Sequence, residues 1–530
     1  MTLQRRFFEV ARQGWGRLAM ADSTGQHLTY GRALTASLLF ARQIRLRTPD
    51  QDMVGLMLPA SVGGALANIA TLAAGRIPVN LNFTAGGDAM AVAIERCGLR
   101  TIITSRTFLQ KANLPARPEM VFLEDIRKTI GALDKARALA EARLMPLPAL
   151  CRTYSRDGSD EALATVIFSS GSTGIPKGVM LSHGNILGNI AGFSHIFPMG
   201  PSDCFIGVLP FFHSFGFTGT LWYPLLSGCA VAYHPNPMDA KVVGELAETY
   251  KATMLIATPT FANAYMRRCT KEQFAHLRHV IVGAEKLRQP LADAFKRQFG
   301  VELVEGYGCT EMSPVISVNL APKGHAKPSK PGSVGRPIDG VEAKVVDQHT
   351  GEGPLVDRPG LLLVRGASLM RGYLGEPQRT AEVIRDGWYV TGDIASIDAD
   401  GFITITDRLS RFAKIGGEMV PHLRIEDAIN EVLGEVGAAV PSILHDARGE
   451  RLVAFYTKKD VPPADVWEQL NQTALPRLWL PRKDQIFLVD AIPTLGSGKV
   501  DLKGLKDLAL SVQATAAALP SRPPQPVDAP

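Results

Sequence analysis

The sequence has few of the features that mark a specialised class of protein. Its six cysteines are spread over 530 residues with no CxxC pair and no histidine at ligand spacing, which argues against a zinc site or a disulfide framework and favours a reducing cytosol. The formal net charge is only +6, and basic residues are mixed with acidic ones, so no nucleic-acid partner is expected. With 46% hydrophobic residues, the chain is long enough for two or three packed domains.

No long uninterrupted apolar run occurs either. The N-terminus starts with charge but lacks an apolar region and a cleavage site, so no signal peptide is predicted. The most apolar stretch, 54–79, contains a proline, an arginine and several glycines, and it reads as a buried strand at 53–58 followed by a helix at 63–74. We therefore expect a cytoplasmic protein; peripheral contact with the inner face of the membrane stays open.

Short apolar runs alternate with helical patterns over most of the chain, which predicts parallel α/β layers. The predicted strands are 101–104, 164–168, 204–209, 230–233, 254–257, 279–282 and 302–305. Denser strands and turns beyond residue 332 indicate a β subdomain, with strands at 340–346 and 361–365. We predict an α/β fold class: a large N-terminal domain (1–408), a small α+β C-terminal domain (409–512) and a disordered tail (513–530).

One loop, Ser169-Ser-Gly-Ser-Thr-Gly-Ile-Pro-Lys-Gly178, points to chemistry directly. Glycines let backbone N–H groups turn into one concavity, hydroxyls add donors and Lys177 adds a cation, so the loop suits a triphosphate. It is not a Walker loop, because Lys177 lies between Pro176 and Gly178. The expected β- and γ-phosphate contacts are Ser169, Ser170, Gly171, Ser172, Thr173, Gly174 and Lys177.

Four further motifs follow in order. In Gly306-Tyr-Gly-Cys-Thr-Glu311, oxygens of Thr310 and Glu311 suit a magnesium ion, and in Gly387-Trp-Tyr-Val-Thr-Gly-Asp393 the final carboxylate suits ribose hydroxyls. A charged connector spans 407–417, and Pro493-Thr-Leu-Gly-Ser-Gly-Lys499 presents a lysine on glycines. Taken singly, each motif also fits an ordinary turn, linker or exposed lysine.

Together the five motifs resemble those of the adenylate-forming superfamily of acyl-CoA synthetases, luciferases and peptide-synthetase adenylation domains, over residues 25–505. Several stretches look closest to the acyl-ACP synthetase half of the bifunctional bacterial acyltransferase/acyl-ACP synthetase. They are Leu209-Pro-Phe-Phe-His-Ser-Phe-Gly-Phe217, Tyr233-His-Pro-Asn-Pro-Met-Asp239, Val282-Gly-Ala-Glu-Lys286, Lys414-Ile-Gly-Gly-Glu-Met419 and the Lys499 loop.

The resemblance implies ATP-dependent conversion of a long-chain fatty acid to acyl-AMP, with Mg²⁺, and then transfer to a pantetheine thiol. It implies an adenine pocket at Gly283, Ala284, Glu285, Glu305, Gly306, Tyr307 and Gly308. Asp393 and Arg408 would hold the ribose, and Lys499 would bridge the carboxylate and the α-phosphate. A rotation of the small domain near Ser410, which departs from the family's usual Asp or Lys, would bring Lys414 and the Gly416-Gly417 channel to the site.

His213 lies where the family has a residue beside the acyl carboxylate, although a core histidine is the alternative. The aromatic and apolar side chains around it fit either an alkyl tunnel or plain core. They are Phe211, Phe212, Phe215, Phe217, Trp222, Leu225 and Leu226.

The thiol acceptor is predicted to be acyl carrier protein, with CoA as the alternative. A basic patch would dock an acidic carrier protein, and four residues are candidates: Arg411, Arg477, Arg482 and Lys483. Two other functions compete. A glycerolipid acyltransferase would use His-x-x-x-x-Asp, found at His234–Asp239 and His422–Asp427. A non-catalytic sensor is disfavoured because Lys499, Glu311 and Asp393 are all present.

Overall fold

The computed structural model describes residues 1–84, 87–155, 158–169, 176–320, 329–348, 350–408, 411–415, 418–445, 449–473, 475–494 and 500–518. These residues form two compact units. The first comprises Met1–Thr391 and Ala395–Ile405, and the second comprises Gly392–Ile394 and the chain from Thr406 onward. Among the described residues, no helix combines the length and hydropathy needed to cross a bilayer.

The described strands up to Arg408 are β1 (Leu18–Asp22), β2 (His27–Thr29), β3 (Met53–Leu56), β4 (Ile77–Asn80), β5 (Ile102–Thr104), β6 (Met120–Phe122), β7 (Leu163–Ser169), β8 (Lys177–Ser182), β9 (Cys204–Gly207), β10 (Ala230–Tyr233), β11 (Met254–Ala257), β12 (His279–Val282), β13 (Leu303–Gly308), β14 (Val315–Val318), β15 (Arg336–Pro337), β16 (Val341–Val346), β17 (Gly360–Gly366), β18 (Gly372–Tyr373), β19 (Ile384–Arg385), β20 (Trp388–Ile397) and β21 (Ile403–Arg408).

The helices of the first unit are α1 (Leu3–Gln13), α2 (Tyr30–Arg47), α3 (Val62–Ala73), α4 (Gly87–Arg96), α5 (Arg106–Ala112), α6 (Leu123–Lys128), α7 (Ala132–Leu144), α8 (Leu147–Thr153), α9 (His183–Ser194), α10 (Ser214–Gly216), α11 (Tyr223–Ser227), α12 (Ala240–Thr249), α13 (Pro259–Arg268), α14 (Gln289–Phe299) and α15 (Pro377–Val383). A π-helical segment, Phe217–Trp222, joins α10 to α11.

The largest sheet has the order β15-β14-β13-β12-β11-β9-β10-β1-β2 among the described strands. The six strands from β13 to β1 run parallel to their neighbours, whereas β14, β15 and β2 are antiparallel at the two edges. The central strands β9 and β11 are buried over their full length, as is typical of parallel sheets that are covered on both faces. Its carboxyl ends consequently open at one edge.

Among the described strands up to Arg408, three smaller sheets accompany the largest one. One is parallel, in the order β4-β3-β5-β6, and one is antiparallel, in the order β18-β8-β7. The third has the order β16-β17-β20-β19, with β21 paired to β20. Side-chain caps fix several helix starts; Ser61 Oγ accepts from the Gly64 N–H at 3.1 Å, and Ser182 caps α9 together with Asn185.

The second unit contains the strands β22 (Phe412–Ile415), β23 (Glu418–Pro421), β24 (Ala438–Ala439), β25 (Ser442–His445), β26 (Gly449–Leu452), β27 (Ala454–Tyr456) and β28 (Ile486–Leu488), and the helices α16 (His422–Leu433), α17 (Pro463–Leu470) and α18 (Leu502–Ala518). Its sheets have the orders β23-β22-β26-β25 and β24-β27-β28. Helix α18 continues to Ala518, past residue 512, where the predicted C-terminal domain ends.

Candidate active site

The residues predicted to bind nucleotide follow the carboxyl ends of neighbouring parallel strands. Gly283 to Glu285 come directly after β12, and Glu305 to Gly308 form the end of β13. The two strands pair in register, with Val282 opposite Glu305. Ligands of parallel α/β sheets bind outside the carboxyl ends of the strands. The fold therefore brings both halves of the predicted adenine pocket to one edge.

Backbone geometry at this edge depends on small residues. A Cβ on Gly283 would lie 3.0 Å from the carbonyl oxygen of Gly306 and 3.3 Å from the Phe215 ring, so the two strand ends approach closely. Ala284 adopts a left-handed conformation with φ 70°, which is uncommon for a residue with a side chain and typical of strained functional loops. Glu285 Oε2 accepts from the N–H and hydroxyl of Thr260, at 3.2 and 2.7 Å, and this holds the turn.

Glu305 carries a buried carboxyl group near the end of β13. Its side chain is 7% exposed, and burial raises its pKa to about 7 although the Leu287 N–H donates to Oε1 at 2.9 Å. The hydrogen bond and the charge of Lys286 both lower the pKa of Glu305, but together they do not offset the increase caused by burial. The group consequently titrates near neutral pH, where it can either donate or accept a hydrogen bond.

The predicted magnesium ligands lie on a tight turn after β13. Thr310 to Met312 form a single 3₁₀ turn, in which Glu311 is 8% exposed. The Tyr373 hydroxyl donates to Glu311 Oε1 at 2.9 Å, and burial raises the pKa of Tyr373, so this hydroxyl stays protonated. Thr310 Oγ1 lies 3.2 Å from the hydroxyl of Ser214, which begins α10.

Tyr373 is a site residue that the sequence motifs did not include. It lies on β18, beside β8, and its phenol orients the carboxylate of Glu311 from a strand sixty-two residues further along the chain. The sequence feature that could have identified it is the segment Arg371-Gly-Tyr-Leu-Gly375, in which a glycine precedes the tyrosine and a second glycine follows it two residues later. Gly372 has φ 134°, a conformation that favours glycine.

A surface cavity of about 600 Å³ adjoins this tyrosine. Its lining residues are Met180, Leu369, Met370, Arg371, Gly372, Tyr373, Gly375, Pro377, Thr380, Ala381 and Ile384.

The phosphate loop joins the hairpin of β7 and β8, with Ser169 opposite Lys177 in the antiparallel register. Ser170, Gly171, Ser172, Thr173 and Gly174 lie outside the described residues. The Lys177 ammonium lies 5.1 Å from the centre of the Tyr373 ring, and burial lowers its pKa. The loop thus ends beside the Tyr373–Glu311 pair.

His213 and the aromatic cluster follow the carboxyl end of β9, at the same edge of the sheet. His213 precedes α10 as its N-cap residue, and its ring lies 5.2 Å from that of Phe212, centre to centre. Phe212 also packs edge-on against Phe83 at 5.0 Å. The aromatic residues Phe211, Phe212, Phe217 and Trp222 are at most 2% exposed and belong to the core, whereas Phe215 is half-buried beside Gly283.

The remaining predicted residues are placed only in part. Asp393 lies on β20 and is 4% exposed. Arg408 ends β21 and Lys414 lies on β22, but their side chains are outside the described part of the chain. Lys499, Gly416, Gly417 and the hinge position Ser410 also lie outside it.

Comparison with known proteins agrees with this geometry. A family model described as AMP-binding enzyme matches residues 7–374. The chain belongs to this family. The predicted superfamily and the division into a large N-terminal and a smaller C-terminal domain are thereby confirmed. Use of ATP and Mg²⁺ belongs to this class of enzyme.

Two relatives illustrate the match across almost the whole chain. The 4-coumarate–CoA ligase 5 of Oryza sativa subsp. japonica is 29% identical over 498 residues, which cover 91% of this chain and 90% of the relative. The 4-coumarate–CoA ligase of Pinus taeda is 28% identical over 472 residues, covering 87% and 86%.

Solved structures share the fold. ATP-bound MatB from Rhodopseudomonas palustris superposes with a TM-score of 0.80 at 24% identity, covering 97% of this chain and 100% of MatB. The o-succinylbenzoate coenzyme A synthetase MenE from Bacillus subtilis, in complex with ATP and magnesium, superposes with a TM-score of 0.80 at 21% identity, covering 95% and 99%.

The donor set of the AMP-binding site fits a magnesium ion held together with substrate. Within the described ranges, no cluster of three or more His, Cys, Asp or Glu side chains forms an all-protein metal cage. Magnesium typically uses one or two carboxylates plus substrate phosphates, and Glu311 supplies one carboxylate whose orientation is fixed by Tyr373. Glu311 and Thr310 would hold the ion close to Lys177 and the phosphate loop.

The predicted basic docking patch needs correction. Arg411 is only 16% exposed, and its guanidinium pairs with the buried carboxylate of Glu426. An arginine held this way neutralises an internal charge and does not contribute to a surface patch. Arg477, Arg482 and Lys483 are exposed, as the prediction requires.

The two His-x-x-x-x-Asp matches have structural explanations. His234 Nε2 lies 3.5 Å from Asp239 Oδ2, and its Nδ1 lies 2.8 Å from Ser23 Oγ. Asp239 Oδ1 also accepts from the Val242 N–H at 3.5 Å as the N-cap of α12. His422 is buried, and burial together with nearby Arg411 lowers its pKa to about 3, too low for a general base at neutral pH. The His422–Asp427 pair therefore does not support acyltransferase chemistry, and in the His234–Asp239 pair burial lowers the pKa of the histidine, which weakens it as a general base.

Proposed function

We propose that the protein is an AMP-forming acid–thiol ligase. A substrate carboxylate oxygen attacks the α-phosphorus of ATP, the bond to the bridging oxygen breaks, and pyrophosphate leaves. A pantetheine thiolate then attacks the acyl carbon of the acyl-AMP, and AMP leaves as the thioester forms. The observation that carries the proposal is the convergence of the phosphate hairpin, the β12 and β13 ends and the buried Glu311 in an AMP-binding enzyme.

Each part of ATP would be bound by a different group of residues. Lys177 and the loop before it would bind the β- and γ-phosphates, and Glu305 to Gly308 would enclose adenine with Tyr307 stacked on it. A magnesium ion at Glu311 would neutralise charge on the phosphates. Asp393 and Arg408 would orient the ribose, and Lys499 would stabilise charge shared by the carboxylate and the α-phosphate.

For the acid, we propose a long-chain fatty acid. The support is the half-buried Phe215, which follows His213 and lies beside Gly283 at the predicted nucleotide pocket. An apolar wall at this position would favour an alkyl or aryl group over a charged one. Most of the surrounding aromatic residues are core, so a chain-length tunnel would have to open from Phe215 rather than from Phe217 or Trp222.

For the acceptor, two thiols with the same pantetheine chemistry remain. The stretches quoted above favour acyl carrier protein, and the exposed Arg477, Arg482 and Lys483 supply positive charge for it. The names of the curated relatives favour CoA, whose phosphates would use similar charge. We propose transfer to carrier protein, with CoA as the alternative that the following experiment separates.

The experiment supplies ATP, Mg²⁺ and either palmitate or 4-coumarate, and measures AMP release and thioester formation with holo acyl carrier protein and with CoA. Palmitoyl thioester on the carrier protein alone supports the full proposal. Thioester on CoA alone overturns the carrier-protein assignment, and a preference for 4-coumarate overturns the fatty-acid assignment. Absence of acyl-AMP with both acids overturns the ligase proposal for acids of these two kinds.

Replacement of Lys499 tests the assigned first step. We expect K499A to slow acyl-AMP formation about a hundredfold, because removing one charge-stabilising donor costs about 3 kcal/mol. Transfer from preformed acyl-AMP to the thiol should be retained. The matched control is K503A, which removes an exposed lysine from the start of α18 and should leave both steps unchanged. Equal first-step rates for K499A and the wild type would exclude the role.

A further inference from the structure

Three cationic side chains from different elements lie near the start of β8, the strand that follows the phosphate loop. Arg96 is the last residue of α4, Lys177 begins β8 and Arg379 lies on α15. Their placement beside one loop is a property of the fold, because 80 residues or more separate each from the next in sequence. Only Lys177 belongs to the loop motif itself.

A single carboxylate, that of Glu376, orders two of these cations. Arg96 Nη1 pairs with Glu376 Oε1, and Arg379 Nη1 pairs with Oε2 of the same group at 3.0 Å. Arg96 Nη1 also donates to the carbonyl oxygen of Pro176 at 3.4 Å. Arg96 is therefore tied both to the loop and to the carboxylate that orients Arg379.

The Tyr373 ring connects the cations to the predicted magnesium ligand. The Lys177 ammonium and the Arg379 guanidinium carbon lie 5.1 and 6.0 Å from the ring centre. The hydroxyl of the same ring donates to Glu311. Arg379, Lys177 and Glu311 consequently share one aromatic neighbour.

The cluster carries more positive than negative charge. Its three cations face two carboxylates, that of Glu376, which the two arginines share, and that of Glu311. After burial, the charge of Arg379 is the next largest contribution to the lowered pKa of Lys177. Like charges held together favour binding of an anion that can neutralise them. A diphosphate group carries the matching charge, and the adjacent loop is built for phosphate.

We propose that Arg379 binds, with Lys177, the diphosphate end of ATP and the pyrophosphate product, and that Arg96 and Glu376 are positioning residues for this contact. The inference rests on the proposed ligase function and adds a residue outside the loop motif. It also assigns the cluster to the part of ATP that leaves, so AMP and the acyl-AMP should not contact it.

Binding measurements on the full chain test this assignment. Calorimetry with ATP, inorganic pyrophosphate and AMP, each with Mg²⁺, should show about tenfold weaker ATP and pyrophosphate binding for R379Q, the loss of one charge-assisted phosphate contact. AMP binding should change less than twofold. R379K should recover part of the affinity, and R96Q, which acts through orientation, should lose about threefold.

The control variant is R365Q. It removes a β17 arginine that pairs with Glu342 of β16 at 2.7 Å, and it should bind all three ligands like the wild type. If R379Q binds pyrophosphate as tightly as the wild type, the assignment is wrong. If AMP binding falls as much as pyrophosphate binding, Arg379 supports the fold and not the diphosphate. If the wild type itself binds neither ATP nor AMP, the failure lies with the proposed function.

Discussion

Glu305 makes the stability of this protein dependent on pH near neutrality. Its carboxyl group is buried at the end of β13, and its pKa is raised from 4.5 to about 7 by desolvation. Between these two values the native state keeps the proton that the unfolded chain has released. Stability from this group is therefore complete below pH 4.5 and is lost as the pH rises through 7.

The separation of the two pKa values sets the size of the effect. It corresponds to about 3 kcal/mol in total, of which about 2.5 kcal/mol falls between pH 5 and pH 8. Glutamine at position 305 has nearly the same shape and keeps an acceptor for the Leu287 N–H, but it does not titrate. E305Q should accordingly gain about 2.5 kcal/mol of stability relative to the wild type over this range.

Equilibrium urea unfolding, followed by tryptophan fluorescence at fixed ionic strength from pH 5 to pH 8, measures this difference directly. The control is E302Q, which removes an exposed carboxylate that pairs with Lys296 at 2.6 Å and should not follow the same curve. A constant difference between E305Q and wild type at all pH values would refute the argument. It would mean that Glu305 has the same pKa in the folded and unfolded states.

Two further changes probe the same edge of the sheet. Y373F removes the hydroxyl that orients Glu311, and because hydrogen bonds to charged groups contribute about 1.5 to 3 kcal/mol, calorimetry should show at least tenfold weaker binding of MgATP; unchanged binding would exclude the orienting role. G308A would place a methyl group 1.9 Å from the carbonyl oxygen of Pro314, so thermal unfolding should show a clear loss of stability and ATP binding should fall. The control G16A meets no atom within 4 Å, and a similar loss there would contradict this reading.

Local sequence patterns were sufficient for much of the fold. The predicted strands at 230–233, 254–257 and 279–282 coincide with β10, β11 and β12, because short apolar runs between turn residues have few other ways to be buried. Other boundaries differ by a few residues; β9, for example, ends at Gly207 and not at 209. Strand order could not be obtained this way, since β1 pairs with β10 more than two hundred residues later.

The candidate site likewise combines features that can be predicted from local sequence with contacts that cannot. The family resemblance predicted a nucleotide-binding role for 283–285, directly after β12, and for 305–308, at the end of β13, and that role stays a prediction. The contact of Tyr373 with Glu311, and the sharing of Glu376 by Arg96 and Arg379, depend on tertiary packing, and local sequence does not identify the partners of such contacts. Arg411 illustrates the reverse error, because composition cannot distinguish an arginine at the surface from one that pairs internally.

The π-helical segment Phe217–Trp222 has an evolutionary consequence. A π turn closes its hydrogen bonds over five residues where an α turn uses four, so it accommodates one residue more between the same flanking turns. Deleting a single residue here would restore α spacing while α10 and α11 keep their places. Loss of one in-frame codon would thus rotate the buried side chains of this segment relative to Phe215, so the packing at this position can change between lineages by single-residue steps.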